Sequence, residues 1–450
     1  MNLEAALAAH RFGLGAGRHD LEAMRGDPKG WLKSQLASVE PITHPFAGQK
    51  STGQVLRDLP SMREAAAKSA DDQVKLQQMG RDMFLREMRP WMRNAFETQV
   101  PFLERYVWFW SNHFTISVLK ARMVFFAGSY EREAIRPMVL GRFENLLIST
   151  VRHPAMLMYL DNAYSMGPDS PAGRYVGKGL NENHAREIME LHTLGVDGGY
   201  TQADVIELAK ILTGWSMQRG DNVDSPTGFK YFQNRHQPGS KTLLGKSYAE
   251  AGEREGMDAL RDLARHPATA RHIATKLARH FIADEPPPQA VARLERMFKD
   301  NGGDLKALAF ALIDEPAAWQ PTLAKMRTPI EYVVAAIRLF GGVQDALGDQ
   351  QFKGLAESLR IMGQIPFTAQ SPKGWPDVAS AWAGPAAVME RAQWAHALAE
   401  RIPKKPDPVV LADAALGPLL SASTRDALKL AADPTQGLAL LLASPEFQRR

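Results

Sequence analysis

The chain has 450 residues, 45% of them hydrophobic and 23% charged, with 54 basic against 50 acidic side chains. That composition suits a globular protein able to bury a core without staples, and its length allows two lobes. There is no cysteine, which excludes disulfides, thiolate metal sites and cysteine nucleophiles. The net charge of +4 is spread along the chain, with no Lys/Arg block of the kind that grips nucleic acid.

The amino terminus, MNLEAALAAHRFGLGAGRHD, has no apolar core behind a basic start. The expected compartment is therefore the cytoplasm, unless a partner carries the chain out. No later apolar run is long enough for a membrane span. RFGLGAG has glycines spaced as in a phosphate loop, but no strand precedes it and no Gly-Lys-Ser/Thr follows. It reads as a turn that tucks the first helix against the body.

Helical spacing follows at 20–38 and 76–99, with an exposed loop expected near 40–55. Residues 100–114, VPFLERYVWFWSNHF, are apolar nearly all round. Leu103, Val107, Trp110 and Phe114 make one stripe, and Phe102, Tyr106, Phe109 and His113 another, the pattern of a central buried helix. An irregular loop over 162–180 leads into the segment beginning Asn-Glu-Asn-His-Ala-Arg-Glu-Ile-Met-Glu-Leu-His, which reads as one helix over 181–194. At 100° per residue Asn183, Glu187 and Glu190 share one side, opposite Ala185, Ile188, Met189 and Leu191.

Thr201 and Asp204 form a capping box for a helix Gln202–Trp215. Alternating aromatics before Asn234, then Pro238-Gly239 and Lys-Thr-Leu-Leu, predict one short hairpin within 227–245. Pro267 starts a helix that stops before Pro286-Pro287-Pro288, and Thr328-Pro329-Ile330-Glu331 opens another to about Leu339. A second irregular loop, 366–385, contains PFTAQSPKGWPD. The expected fold is all-α, a large multi-helix globular protein with one small β-hairpin excursion and long irregular loops. The expected division is a body over 1–400 and a helical C-terminal extension over 401–450.

Several segments carry a resemblance. NENHAREIMELHTLGVDGGYTQADVIELAKILTGW, with RFGLGA, FWSNHF, LDNAYSMGPDS, HPATARHIATKL and SPKGWPD in the same order, resembles the bacterial domain-of-unknown-function 1800 family over nearly the whole chain. The resemblance implies a large helical protein. It also implies a partner, since such proteins often accompany an exported phosphatase- or sulfatase-like protein. The chain departs from the family pattern at His184 and His192, where aromatics are usual, and at Gln237, where an acid is usual. Those departures weaken His184 and His192 as groups of a shared chemistry.

The candidate catalytic groups are Glu187, Glu190, His236, His113 and Asp161. Glu187 and Glu190 lie three apart, about 5–6 Å between Cβ atoms on a helix, close enough for one carboxylate to raise the pKa of the other. A carboxyl raised in this way is a usable general acid. The same residues also fit a solvated face held by i±4 pairs, with Arg186 bridging Glu182 or Glu190. His113 fits either a core histidine bonded to a backbone carbonyl or a base facing the carboxylates. His236 reads as an exposed loop histidine, followed by Lys241. Asp161 fits either a third carboxylate or an Asx-turn.

Arg186, Asn183, Asn162, Lys241 and Trp375 are the substrate-binding candidates, and loop tryptophans can stack on sugar rings or plug a core. Were the five catalytic candidates to converge, their mixed N/O set would suit a divalent metal such as Zn, Mn, Fe or Mg. No metal motif supports that, neither H-E-x-x-H nor paired Glu-x-x-His, and no metal ligand is assigned. No Gly-x-Ser-x-Gly elbow is present either.

Two function classes remain. One is an acid–base enzyme, hydrolase-like, acting on a saccharide or other polar polymer. Its site would lie between the 181–194 helix and the two irregular loops. The other is a non-catalytic helical partner of the phosphatase- or sulfatase-like protein.

Overall fold

A computed structural model describes the whole chain except Arg25, 67–69, Ala121, Lys178 and 342–348. Helices dominate it, and among the described residues the only strands form two small two-stranded antiparallel sheets. The fold is all-α, as the spacing of apolar residues requires. No described helix is long and apolar enough to cross a membrane.

The helix expected over 20–38 is divided into Arg18–Ala23 and Pro28–Ser34. Pro28 opens the second of these, and Asp27 caps it by accepting from the Gly30 N–H at 2.8 Å. The 40–55 segment is not simply an exposed loop. It holds the helical turns Glu40–Thr43 and His44–Phe46 and buries Ile42, Phe46 and Thr52. Two long helices follow, Thr52–Ala66 and Ala70–Glu97.

Helix α1, Pro101–His113, is the central buried helix. Burial extends to its charged residues, Glu104 and Arg105. Buried charges must be paired, and these are. Arg136 grips Glu104 with two bonds of 2.7 Å, while Arg105 pairs with Glu331 and donates to the Gly13 carbonyl at 2.6 Å.

The helix expected over 181–194 is not uniform. Regular α2 covers Asn183–Glu187, and residues Ile188–His192 then widen into a π-turn. Thr193 Oγ1 donates to the Ile188 carbonyl at 2.7 Å, five residues back, and the chain turns away at Gly195 with φ 85°. A Cβ there would sit 2.8 Å from His272 Nδ1, so only glycine fits. Both halves still bury Ala185, Ile188, Met189 and Leu191 and leave Glu187 and Glu190 half-exposed.

Helix α3, Gln202–Ile211, starts at the expected Thr201–Asp204 capping box. The β material pairs differently from the single hairpin expected. Strand β1, Trp215–Met217, pairs with β2, Phe229–Tyr231, and β3, Lys241–Leu243, pairs with β4, Lys246–Tyr248. The second pair turns on Leu244-Gly245, both at positive φ, as a two-residue hairpin turn requires. Helices α4, Glu253–Arg265, and α5, Pro267–Phe281, follow, and α6, Pro329–Leu339, begins at the Thr328–Glu331 box.

The C-terminal segment packs back onto the body. Pro385–Arg401 lies against Pro434–Ala443, and Gly417–Leu419 against Leu3–Leu7. The last residues pair with 325–327, Lys325 N–H donating to the Arg450 carbonyl at 3.1 Å and Arg450 N–H to the Lys325 carbonyl at 2.9 Å. The apolar residues form two clusters. The larger surrounds α1, and the smaller joins α6 to Met88, Trp91 and Phe96. A cavity lies at the seam between them.

Candidate functional site

The cavity encloses about 110 Å³ and is lined from both clusters. Its walls are largely apolar and partly aromatic, with Trp91 and Trp108 stacked at 4.9 Å, and Phe367 and Trp375 coming from the second irregular loop. Its polar lining includes Glu131, Glu331, His280 and Asp377.

The loop that closes the cavity is fastened by Asn112, next to last in α1. Asn112 Nδ2 donates to the Trp375 carbonyl at 3.0 Å, and its Oδ1 accepts from the Trp375 N–H at 2.7 Å. Gly374 has φ 81°, and a Cβ there would lie 2.4 Å from the Asn112 carbonyl oxygen, so the close approach needs glycine. Asp377 follows two residues after Trp375. Its Oδ2 sits 2.7 Å from His280 Nδ1, and Lys325 Nζ lies 3.3 Å from its Oδ1.

Burial alone would raise Asp377, but His280 and Lys325 hold it well below the usual carboxylate range. Ionised, it can only accept, so Nδ1 of His280 carries the proton. Burial lowers the imidazole, with Asp377 opposing, a direction that favours the neutral ring. Its Nε2 then holds a lone pair, and that atom is buried with no hydrogen-bond partner among the described residues. A neutral histidine oriented by a carboxylate and left with a free nitrogen is the arrangement of a general base.

Glu331 shares the wall. Burial would raise it, but Arg105 and Arg450 pull it down to about 2. Arg450 Nη1 also donates to the His280 carbonyl at 2.7 Å. Glu131 accepts from Trp91 at 3.0 Å, from Ser111 at 2.9 Å and from Arg136 at 2.8 Å. These carboxylates are fully engaged and act as fixed framework.

The same loop reaches the face predicted from the sequence. Burial and the neighbouring Glu190 raise the Glu187 carboxyl, while Lys373 and Arg186 oppose the shift. Glu187 itself accepts no hydrogen bond and makes no ion pair among the described residues. Tyr159 stands nearby, pushed up to about 12 by burial and the Glu187 charge, and Tyr200 is raised by burial and then by Glu190. Arg186 donates to Glu182 at 3.2 Å and Gln202 at 2.8 Å, and Asn183 is exposed with its Nδ2 3.5 Å from the Leu160 carbonyl.

Other predicted groups do not join this face. His113 is buried among aromatic rings, with Nε2 3.1 Å from the His192 carbonyl, so it is a core histidine and not a base facing carboxylates. His236 is 2% exposed, contrary to its expected place on an open loop. Helix α4 covers it, and Glu255 Oε2 lies 3.0 Å from its Nε2 and 3.2 Å from Lys241 Nζ. Lys241 is equally buried and donates to the Gln237 carbonyl at 2.6 Å, so it binds structure and not substrate. Asn162 is buried too, its Nδ2 donating to the Leu212 and Trp215 carbonyls at 3.1 and 3.2 Å. Asp161 has φ 63° and pairs with Lys120 at 2.6 Å; its side chain makes no capping bond to the turn that follows, so neither the third-carboxylate nor the Asx-turn reading describes it. The five catalytic candidates therefore do not converge. Among the described residues no group of three or more metal-ligating side chains could hold an ion.

Sequence reasoning missed His280 and Asp377. The available signal was the spacing of His272, Lys276 and His280 at i, i+4 and i+8 on α5, one face of a helix. Burial pushes Lys276 down to about 8, with Asp377 opposing. The partner of that face, Asp377, comes from a loop 97 residues away.

No curated protein and no solved structure matches the chain. Residues 7–449 match the family model described as protein of unknown function DUF1800. Since the match takes in the cavity, the α2 face and the C-terminal helices alike, the chain belongs to the DUF1800 family.

Proposed function

We propose that the chain is an acid–base enzyme, hydrolase-like, acting on a saccharide or similar polar polymer at the seam cavity. One observation carries this reading: His280 is oriented by Asp377 at 2.7 Å and, among the described residues, keeps an unpartnered Nε2 beside a cavity with tryptophans in its wall. In this reading Nε2 takes a proton from the attacking water or hydroxyl, and Asp377 stabilises the imidazolium that forms. Glu187, protonated more readily than an ordinary carboxylate, gives a proton to the leaving group, with Glu190 maintaining its shift. Arg186 and Asn183 flank the approach. Trp375 and Trp108 offer flat faces of the kind sugar rings stack on. Loop 371–377 supports treating the two places as one site, because it carries Trp375 and Asp377 into the cavity and sets Lys373 against Glu187.

The test is release of reducing ends from a panel of soluble polysaccharides by the purified chain. The expected result is release by the wild type, with a loss of about 10²–10⁴-fold in His280→Gln, the usual range for a proton-transfer group. Glu187→Gln is expected to fall with it, while circular dichroism shows both folded. No release from any polymer, or undiminished release by folded His280→Gln, overturns the proposal.

A further inference from the structure

A second concavity, about 410 Å³, lies between the 163–166 turn and the β1–β2 sheet. It is lined by Arg219, Lys230 and Arg235, and among the described residues no Asp or Glu lines it. Lys230 shares its charge with Asp224 at 3.8 Å. The two guanidiniums have no such relief among the described residues. Arg219 donates to the Tyr164 hydroxyl at 3.1 Å, and the Arg235 side chain has no hydrogen bond or ion pair with the described residues.

Each guanidinium instead rests on a ring, Arg219 5.7 Å from the Tyr164 centroid and Arg235 4.6 Å from that of Phe232. Ring stacking fixes the planar forks without neutralising them. Burial pushes Arg235 downward, and the charge of Arg219 adds to it. Two uncompensated cations sharing one concavity call for a ligand carrying two negative charges. Paired Arg forks match the oxygens of a phosphate group. Ala163 and Met217 add apolar lining for a carbon body, and the volume lies within the usual range for small-molecule sites.

We infer that the Arg219–Arg235 concavity binds a phosphate monoester on a sugar-sized body. This site is separate from the seam cavity, and it stands or falls independently of the acid–base reading. It involves no covalent step.

Isothermal titration of the full chain with glucose 6-phosphate, at low salt, tests it, with glucose as the uncharged probe. Expected are binding of glucose 6-phosphate, none of glucose, and at least tenfold weaker binding by Arg235→Gln. Arg360→Gln, a remote exposed arginine paired with Glu357, is expected to bind as the wild type does. Circular dichroism should show Arg235→Gln folded as the wild type is. Absence of binding by the wild type overturns the inference, as does equal affinity in Arg235→Gln.

Discussion

Replacing Glu331 by glutamine removes the carboxylate that pairs directly with Arg105 and Arg450 and also acts on Arg327. All four side chains are buried, so the arginines would lose their directly paired counter-charge. The carboxyl is drawn from 4.5 to about 2. At about 1.36 kcal/mol per pKa unit that shift corresponds to roughly 3 kcal/mol of stability at pH 7. Breaking a buried ion pair typically costs about 3–5 kcal/mol, which agrees. The sign follows from linkage: a depressed carboxylate stabilises above its unfolded pKa and loses that contribution as pH falls through the folded one. The difference between wild type and Glu331→Gln should therefore be full at pH 7 and shrink to about 1.4 kcal/mol by pH 3. Equilibrium urea unfolding at the two pH values measures it. A gap that is below 1 kcal/mol at pH 7, or that does not narrow on acidification, would refute the reasoning.

Three further outcomes follow from other contacts. Lys241→Met leaves Glu255 buried with only His236 beside it, and should cost about 3–5 kcal/mol in urea unfolding; a loss under 1 kcal/mol would mean that the network is replaceable. Gly256→Ala sets a Cβ 2.5 Å from Trp215 Cζ2, in a ring that is fully buried. Overpacking of about 1–3 kcal/mol should outweigh the gain in helix propensity, so a raised melting temperature would count against the packing described. Glu187→Gln relieves a carboxylate whose pKa is raised, a group whose ionisation on rising pH disfavours the folded state. Above the ordinary carboxylate range the variant should be more stable by about 0.2–0.5 kcal/mol, the scale for like charges one turn apart. A less stable variant at pH 7 would show that Glu187 is a structural carboxylate.

Much of the fold was legible where local patterns decide. Helix α1 could be read from its apolar residues, and the boxes at Thr201 and Thr328 sit where their hydroxyls and acids predicted. The β pairing was harder. Pro238-Gly239 looked like the hairpin turn, yet the turn is Leu244-Gly245, with a leucine at positive φ that local propensity disfavours. The π-turn after Glu187 left no mark in residue spacing.

The site was half legible, for a similar reason. Glu187 and Glu190 share a helix face and could be seen together. Trp375 belonged to a conspicuous loop. His236 looked exposed because Pro and Gly follow it, and only the later helix α4 brings Glu255 over it. His280 needed Asp377, a contact made by tertiary closure that no local spacing encodes.

The most direct test of the account is the protonation state of His280, read from two-bond ¹H–¹⁵N correlations of the imidazole at pH 7, assigned by comparison with His280→Gln. The account predicts a neutral ring with the proton on Nδ1 and a lone pair on Nε2. A proton on Nε2 at that pH, in either the other neutral tautomer or the imidazolium, would leave His280 unable to accept one and would contradict the proposed chemistry.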